Sequence, residues 1–144
     1  MNRQRTMIVG NAIIHIWHEN FKYYQPNKHI CGDCVIRAVS KALDCTWEES
    51  FKILTDRALK IKNVPNCRQT VTSALKDYGF KWVAIKVEKG MKRPTVSEFA
   101  KSHDGTYVLK VAHHEVCVKG GKYYDIWDCG EKAVYGYWEK NKTE

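Results

Sequence analysis

Residues 31–43 read CGDCVIRAVSKAL, and the rest of the chain is best taken outward from them. The first four are small or polar. Beyond them Val35, Ile36, Ala38, Val39, Ala42 and Leu43 are apolar at helical spacing, so the pattern predicts a largely buried helix with Cys34 at or next to its first turn. A thiol in that position meets unpaired N–H groups and the positive end of the macrodipole, which favour thiolate over thiol. Asp33 is the expected cap of the turn, and Gly32 leaves room for backbone or substrate to come close. On this stretch alone three readings stay open: a nucleophile, a redox or zinc CxxC pair, and a pair with no chemistry.

Downstream, Thr46 and Glu49 form a capping-box pattern, and Trp47, Phe51, Ile53, Leu54 and Leu59 predict a second helix ending near Lys60. IKNVPN reads as a turn. A third helix is expected over residues 67–78, with Val71, Leu75 and Tyr78 on one face and Gly79 as its C-cap. From Phe80 the period changes to two, and KWVAIKVE alternates Trp82, Ala84 and the region of Val87 with lysines, as a half-exposed strand does. Thr95 and Glu98 open a short helix. TYVLKVA, HEVCVKG and KYYDIW then follow as strands joined by tight turns, one of them at Gly120 and Gly121, and KAVYGYWE comes last. Helices followed by an antiparallel sheet predict the α+β class.

Upstream, TMIVGNAIIHIW at residues 6–17 reads as one or two short strands broken near Gly10 and Asn11, and residues 20–30 read as a loop. His15 and His18 would face opposite sides of a strand, so they are expected as core or surface histidines rather than a ligand pair.

A chain of 144 residues fits one domain, 1–144, with a core that needs no metal or disulfide. Its net charge of +8 suits acidic partners, but the lysines and arginines are scattered. No dense basic block marks a dedicated nucleic-acid binder. No apolar run is long enough to span a bilayer. Arg3 and Arg5 precede MIVGNAIIHIW, yet Asn11 and His15 interrupt that segment and no small-residue cleavage site follows, so it is read as strand and not as an export signal. The expectation is a cytoplasmic protein whose six cysteines (31, 34, 45, 67, 117 and 129) are reduced, with no membrane partner and no cofactor.

If Cys34 is a nucleophile, it needs a base and a group to orient that base. His114 opens HEVCVKG and Asp125 ends KYYDIW, and the hairpin turn between these strands brings the two together. A helix carrying Cys34 across that end of the sheet completes a Cys, His, Asp triad. His113 is the alternative base, since strand neighbours point opposite ways, and Asp128 is the alternative acid. Arg37, one turn after Cys34, either favours the thiolate or pairs with a carboxylate such as Asp33 or Asp128. Cys117 and Cys129 read as packing thiols. A zinc site using Cys31, Cys34, His113 and Cys117 would lack the usual second CxxC or HxxxH.

CGDCVIRAV resembles the nucleophile segment of papain-like cysteine peptidases, where Cys-Gly-Ser-Cys enters a long buried helix. YYDIWDCG resembles their Asn-Ser-Trp-Gly segment, with Asp125 at the asparagine and Trp127 at the tryptophan. The closer likeness is to compact papain-like proteins of bacteria and phages, and it runs from Cys31 to Trp138, leaving residues 1–30 as an N-terminal extension. The resemblance implies a papain-like fold, the nucleophile helix packed on a C-terminal antiparallel sheet, and a peptide or protein substrate. It makes Cys34 the nucleophile, His114 the base and then acid, and Asp125 the orienter, with Trp127 shielding the histidine and Gly32 and Asp33 supporting the turn. The family's oxyanion glutamine, six residues before the nucleophile, is Lys28 here; Asn27 is the nearest amide and Gln25 the next, beside the Cys34 backbone N–H. Cys31 matches a cysteine disulfide-bonded in secreted members and is expected here as a free, buried thiol.

Overall fold

A computed structural model describes residues 5–9 and 12–142. Two strands, β1 (Arg5–Val9) and β2 (Ala12–Ile16), pair antiparallel in a ribbon of their own, as the β-branched run predicts. The break at Gly10 and Asn11 and the side chain of His15 lie outside the described residues.

Phe21–Tyr23 forms a short strand, β3, where the sequence predicts only loop. Three helices follow: α1 (Cys34–Leu43), α2 (Trp47–Ile61) and α3 (Arg68–Lys76). After β4 (Phe80–Ala84) and α4 (Val96–Ser102) come β5 (Thr106–Val111), β6 (His114–Lys119), β7 (Lys122–Asp125) and β8 (Gly136–Lys140). The protein is therefore α+β, with four helices and a six-stranded sheet in the order β3-β7-β6-β5-β8-β4 among the described residues. That sheet is mixed, not purely antiparallel. β3 runs parallel to β7, with Tyr23 level with Asp125, so residues assigned to an N-terminal extension build the sheet's edge. No described helix is long and apolar enough to cross a membrane.

The local signals explain most boundaries. Both predicted capping boxes form, at Thr46 with Glu49 and at Thr95 with Glu98. Gly120 and Gly121 both take positive φ (59° and 81°), the conformation a two-residue hairpin requires, and set Lys119 opposite Lys122. Two expectations fail. β4 stops at Ala84, itself exposed, and after one further bond from the Ile85 N–H to the Tyr135 carbonyl, residues 86–92 run exposed outside the sheet. α3 is capped at Asp77 rather than at Gly79, which takes φ +83° two residues later.

The sheet separates two cores. On one side Val35, Ala38, Val39 and Ala42 of α1 pack with Leu54, Val71 and Leu75 of α2 and α3 against Val108, Cys117 and Trp138. On the other, Val96, Phe99 and Ala100 of α4 pack against Tyr107, Leu109, Val116, Val118 and Tyr123. Each fully buried side chain of this size is worth roughly 1.5–3 kcal/mol over its exposed state. Together they hold the start of α1 against the ends of β6 and β7.

Candidate active site

Cys34 is the first residue of α1, half-buried at the end of the sheet. Asp33 occupies the N-cap position, but its side chain caps nothing. Its Oδ1 accepts from Arg37 Nη1 at 2.5 Å and its Oδ2 from Trp47 Nε1 at 2.9 Å. The expected cap is corrected by a stronger claim on the carboxylate: Arg37 is buried and must find anions, and Asp33 is one turn away. The first-turn N–H groups beside Cys34 are consequently left without a side-chain acceptor. The space beside Gly32 is open. Ser50 of α2 donates to the Ile36 carbonyl at 2.7 Å and fixes the second helix on this turn.

Arg37 forks. Its Nη2 reaches Asp125 Oδ1 at 2.8 Å, so its partners are Asp33 and Asp125, and not Asp128. Asp125, at 1 % exposure, also accepts from the Ile126 N–H at 2.8 Å, and its Oδ2 accepts from His114 Nε2 at 2.5 Å. The strand register accounts for that last contact. With Cys117 opposite Tyr124, Val116 lies level with Asp125, and His114 emerges two residues earlier on the same face.

The β5–β6 turn places the two histidine candidates differently. Val111 pairs with His114, so Ala112 and His113 are the two turn residues; His113 takes φ +55° and is exposed. His114 is buried and bonded to Asp125, with the Cys34 thiol near enough to act on its charge. Burial opposes its charged form, but the hydrogen bonds to Asp125 and Cys34 and the charges on both outweigh burial and raise its pKa from 6.5 to about 9. Trp127 lies over the imidazole, ring centroids 4.9 Å apart.

The rival acid serves another purpose. Asp128 Oδ2 accepts from the backbone N–H of His18 and pairs with its Nδ1, both at 2.8 Å, while Oδ1 accepts from Tyr123 and from the Gly130 N–H. His18 Nε2 meets Glu131 at 2.9 Å. This knot ties the chain before β3 to the loop after β7. The hydrogen bonds from Tyr123, His18 and Gly130 outweigh the burial of Asp128 and lower its pKa.

Asn27 is not joined to Cys34 by any described contact. Its Nδ2 approaches Cys31 Sγ at 3.7 Å and its Oδ1 accepts from the His29 N–H at 3.1 Å. Lys28 is exposed. Cys31 is free but exposed, which corrects the expectation of a buried thiol: it precedes the helix and packs under nothing. Cys117 and Cys129 are buried as expected. Burial pushes the Cys117 thiol up to about 12, and burial together with the neighbouring Asp125 carboxylate holds the Cys129 thiol well above its ordinary range. Among the described residues, only His114, Asp125 and Cys129 bring three ligand-type atoms within 4.8 Å of one another; Cys31, Cys34, His113 and Cys117 form no such group.

Sequence reasoning missed Glu115. This buried carboxylate accepts the Cys34 thiol hydrogen on Oε2 at 3.4 Å and the Lys110 ammonium on Oε1 at 2.6 Å. The signal was present: a charge inside the otherwise apolar HEVCV demands a partner, and the tight turn sets Lys110 opposite Glu115. No protein-family model, no curated protein and no solved structure matches this chain.

Proposed function

We propose that the protein is a papain-like thiol hydrolase, a cysteine peptidase or isopeptidase, working through Cys34, His114 and Asp125. The observation that carries this reading is the bond of His114 to Asp125 Oδ2, with a cysteine on the first turn of a buried helix near enough to act on the imidazole. With Nε2 engaged by Asp125, Nδ1 is the ring nitrogen left to face the thiol. Its raised pKa keeps the imidazolium present at neutral pH, as a thiolate–imidazolium pair requires.

In the proposed reaction the Cys34 sulfur attacks the carbonyl carbon and the C=O electrons move to oxygen. The N–H groups of the first turn of α1, left open because Asp33 is turned to Arg37 and Trp47, are the donors for that oxyanion. His114 then gives its proton to the departing amine and the C–N bond breaks, leaving a thioester. Water attacks next, His114 takes its proton, and the C–S bond breaks to release the acid and restore the thiolate–imidazolium pair. Arg37 fixes Asp125, Asp125 fixes the ring, and Trp127 keeps water from their contact.

A second reading rests on Glu115. A carboxylate holding the thiol hydrogen of Cys34 suits a papain-like binding scaffold without activity, as does the exposed lysine at the family's glutamine position.

Iodoacetamide labelling at neutral pH, mapped by mass spectrometry, separates the two. The hydrolase reading expects Cys34 to react about tenfold or more faster than the other five cysteines, and His114→Ala to abolish that lead. It further expects cleavage of a mixed peptide library, absent in Cys34→Ala. Equal labelling of Cys34 and the exposed Cys31 would establish the scaffold reading instead.

A further inference from the structure

Beside the candidate site lies a groove of about 690 Å³, walled by Arg68, Trp82, Arg93, Lys110, His113 and Tyr135. It contains three fixed cations and no carboxylate among its lining residues. Arg68 and Arg93 form no ion pair with any described carboxylate. The Arg68 guanidinium lies over the Trp82 ring at 5.3 Å and that of Arg93 over Tyr135 at 4.8 Å. Arg93 is further held by the Ile85 carbonyl. Stacking of this kind pre-orients a guanidinium and leaves other N–H edges free for a bidentate anion. The third cation, Lys110, connects the groove to the thiol, since its ammonium and the Cys34 sulfur share the two oxygens of Glu115.

We propose that this groove binds a carboxylate-bearing stretch of the polypeptide on which Cys34 acts, so that the substrate is selected for acidic residues next to the bond attacked. The word substrate here rests on the thiol-hydrolase reading; the binding of an acidic peptide does not. Two features favour a peptide over a nucleic acid. One face of Trp82 and one of Tyr135 are already taken by arginine, which leaves less ring surface for a base to stack on. The cations are also confined to one short groove, where a phosphate backbone would call for an extended basic track.

The test uses the full chain carrying Cys34→Ala and fluorescein-labelled octapeptides that alternate glycine with glutamate or with glutamine, read by anisotropy. The glutamate peptide is expected to bind about tenfold tighter than the glutamine one, the scale of one charge-assisted contact, an advantage that 0.5 M salt reduces. Arg68→Gln with Arg93→Gln is expected to remove it, and Arg68→Gln alone to weaken it. Lys52→Gln with Lys60→Gln, a change of equal charge on α2, is expected to leave it intact. Equal binding of both peptides, an equal loss in the α2 variant, or tighter binding of an eight-nucleotide oligothymidine with the same arginine dependence would overturn the proposal. In the wild-type chain the bound glutamate peptide is expected to slow iodoacetamide labelling of Cys34; binding without protection would overturn the placement of this groove on the substrate path. Since anisotropy is read without the thiol, loss of the hydrolase reading leaves that result unaffected.

Discussion

Arg37 and Asp125, 88 positions apart in the chain, meet through a 2.8 Å bond between Nη2 and Oδ1 with both side chains nearly inaccessible to water. The same guanidinium holds Asp33, so one buried cation serves two buried carboxylates and joins the start of α1 to the residue bonded to His114. Cleaving this link should disturb the fold and the candidate site together.

Replacing Arg37 by methionine, which keeps most of its volume, leaves Asp33 and Asp125 without their cation. The expected loss is about 3–5 kcal/mol in urea denaturation, the usual cost of stranding a buried charge. A loss under about 1 kcal/mol would mean that the network contributes little.

His114 gives stability a pH signature. Its folded pKa of about 9 lies above the unfolded 6.5, so its contribution is complete below about pH 6.5 and disappears as pH rises through 9. The size is on the order of 3 kcal/mol, from 1.36 kcal/mol per unit. Asp125→Asn removes the main group holding the imidazolium, and the alkaline decline should flatten. Urea midpoints from pH 6 to 9.5 provide the comparison, and parallel curves for the two proteins would rule out this coupling.

Glu115 places negative charge beside the sulfur. Glu115→Gln removes that charge and leaves the Lys110 ammonium unopposed nearby. Cys34 labelling at neutral pH should then accelerate by a few-fold, on the scale of roughly 1 kcal/mol for a partly screened charge pair. A slower reaction in the variant would indicate instead that the carboxylate assists the thiol as a base.

Gly130 sits where the His18, Tyr123 and Asp128 side chains converge, and a Cβ there would land on the Tyr123 hydroxyl, His18 Nδ1 and Asp128 Oδ1. Gly130→Ala is expected to cost about 1–3 kcal/mol, the range for an overpacked site. Thermal melts at matched pH would show it, and an unchanged midpoint would mean that the knot yields without strain.

Residues close in sequence determined the elements of this fold. Capping boxes, the glycine pair at 120 and 121, and periods of 3.6 and 2 mark α1 to α4 and β5 to β8, because each depends on bonds between residues a few positions apart. The pairing of His114 with Asp125 belongs with these, since one hairpin turn sets it. Three features had no such local sign. The parallel β3–β7 pair joins residues a hundred positions apart and needs β7 already in place. Asp33 looked like a cap and became a partner of Arg37 and Trp47, because burial of the arginine outweighs one capping bond. Asp128 looked like a rival for the histidine and instead binds His18 from the start of the domain. The sequence by itself determined which strands and helices hold Cys34, His114 and Asp125. Only the tertiary structure decided how the buried charges divide among one another, because a charge removed from water takes whichever partner the packing brings within reach.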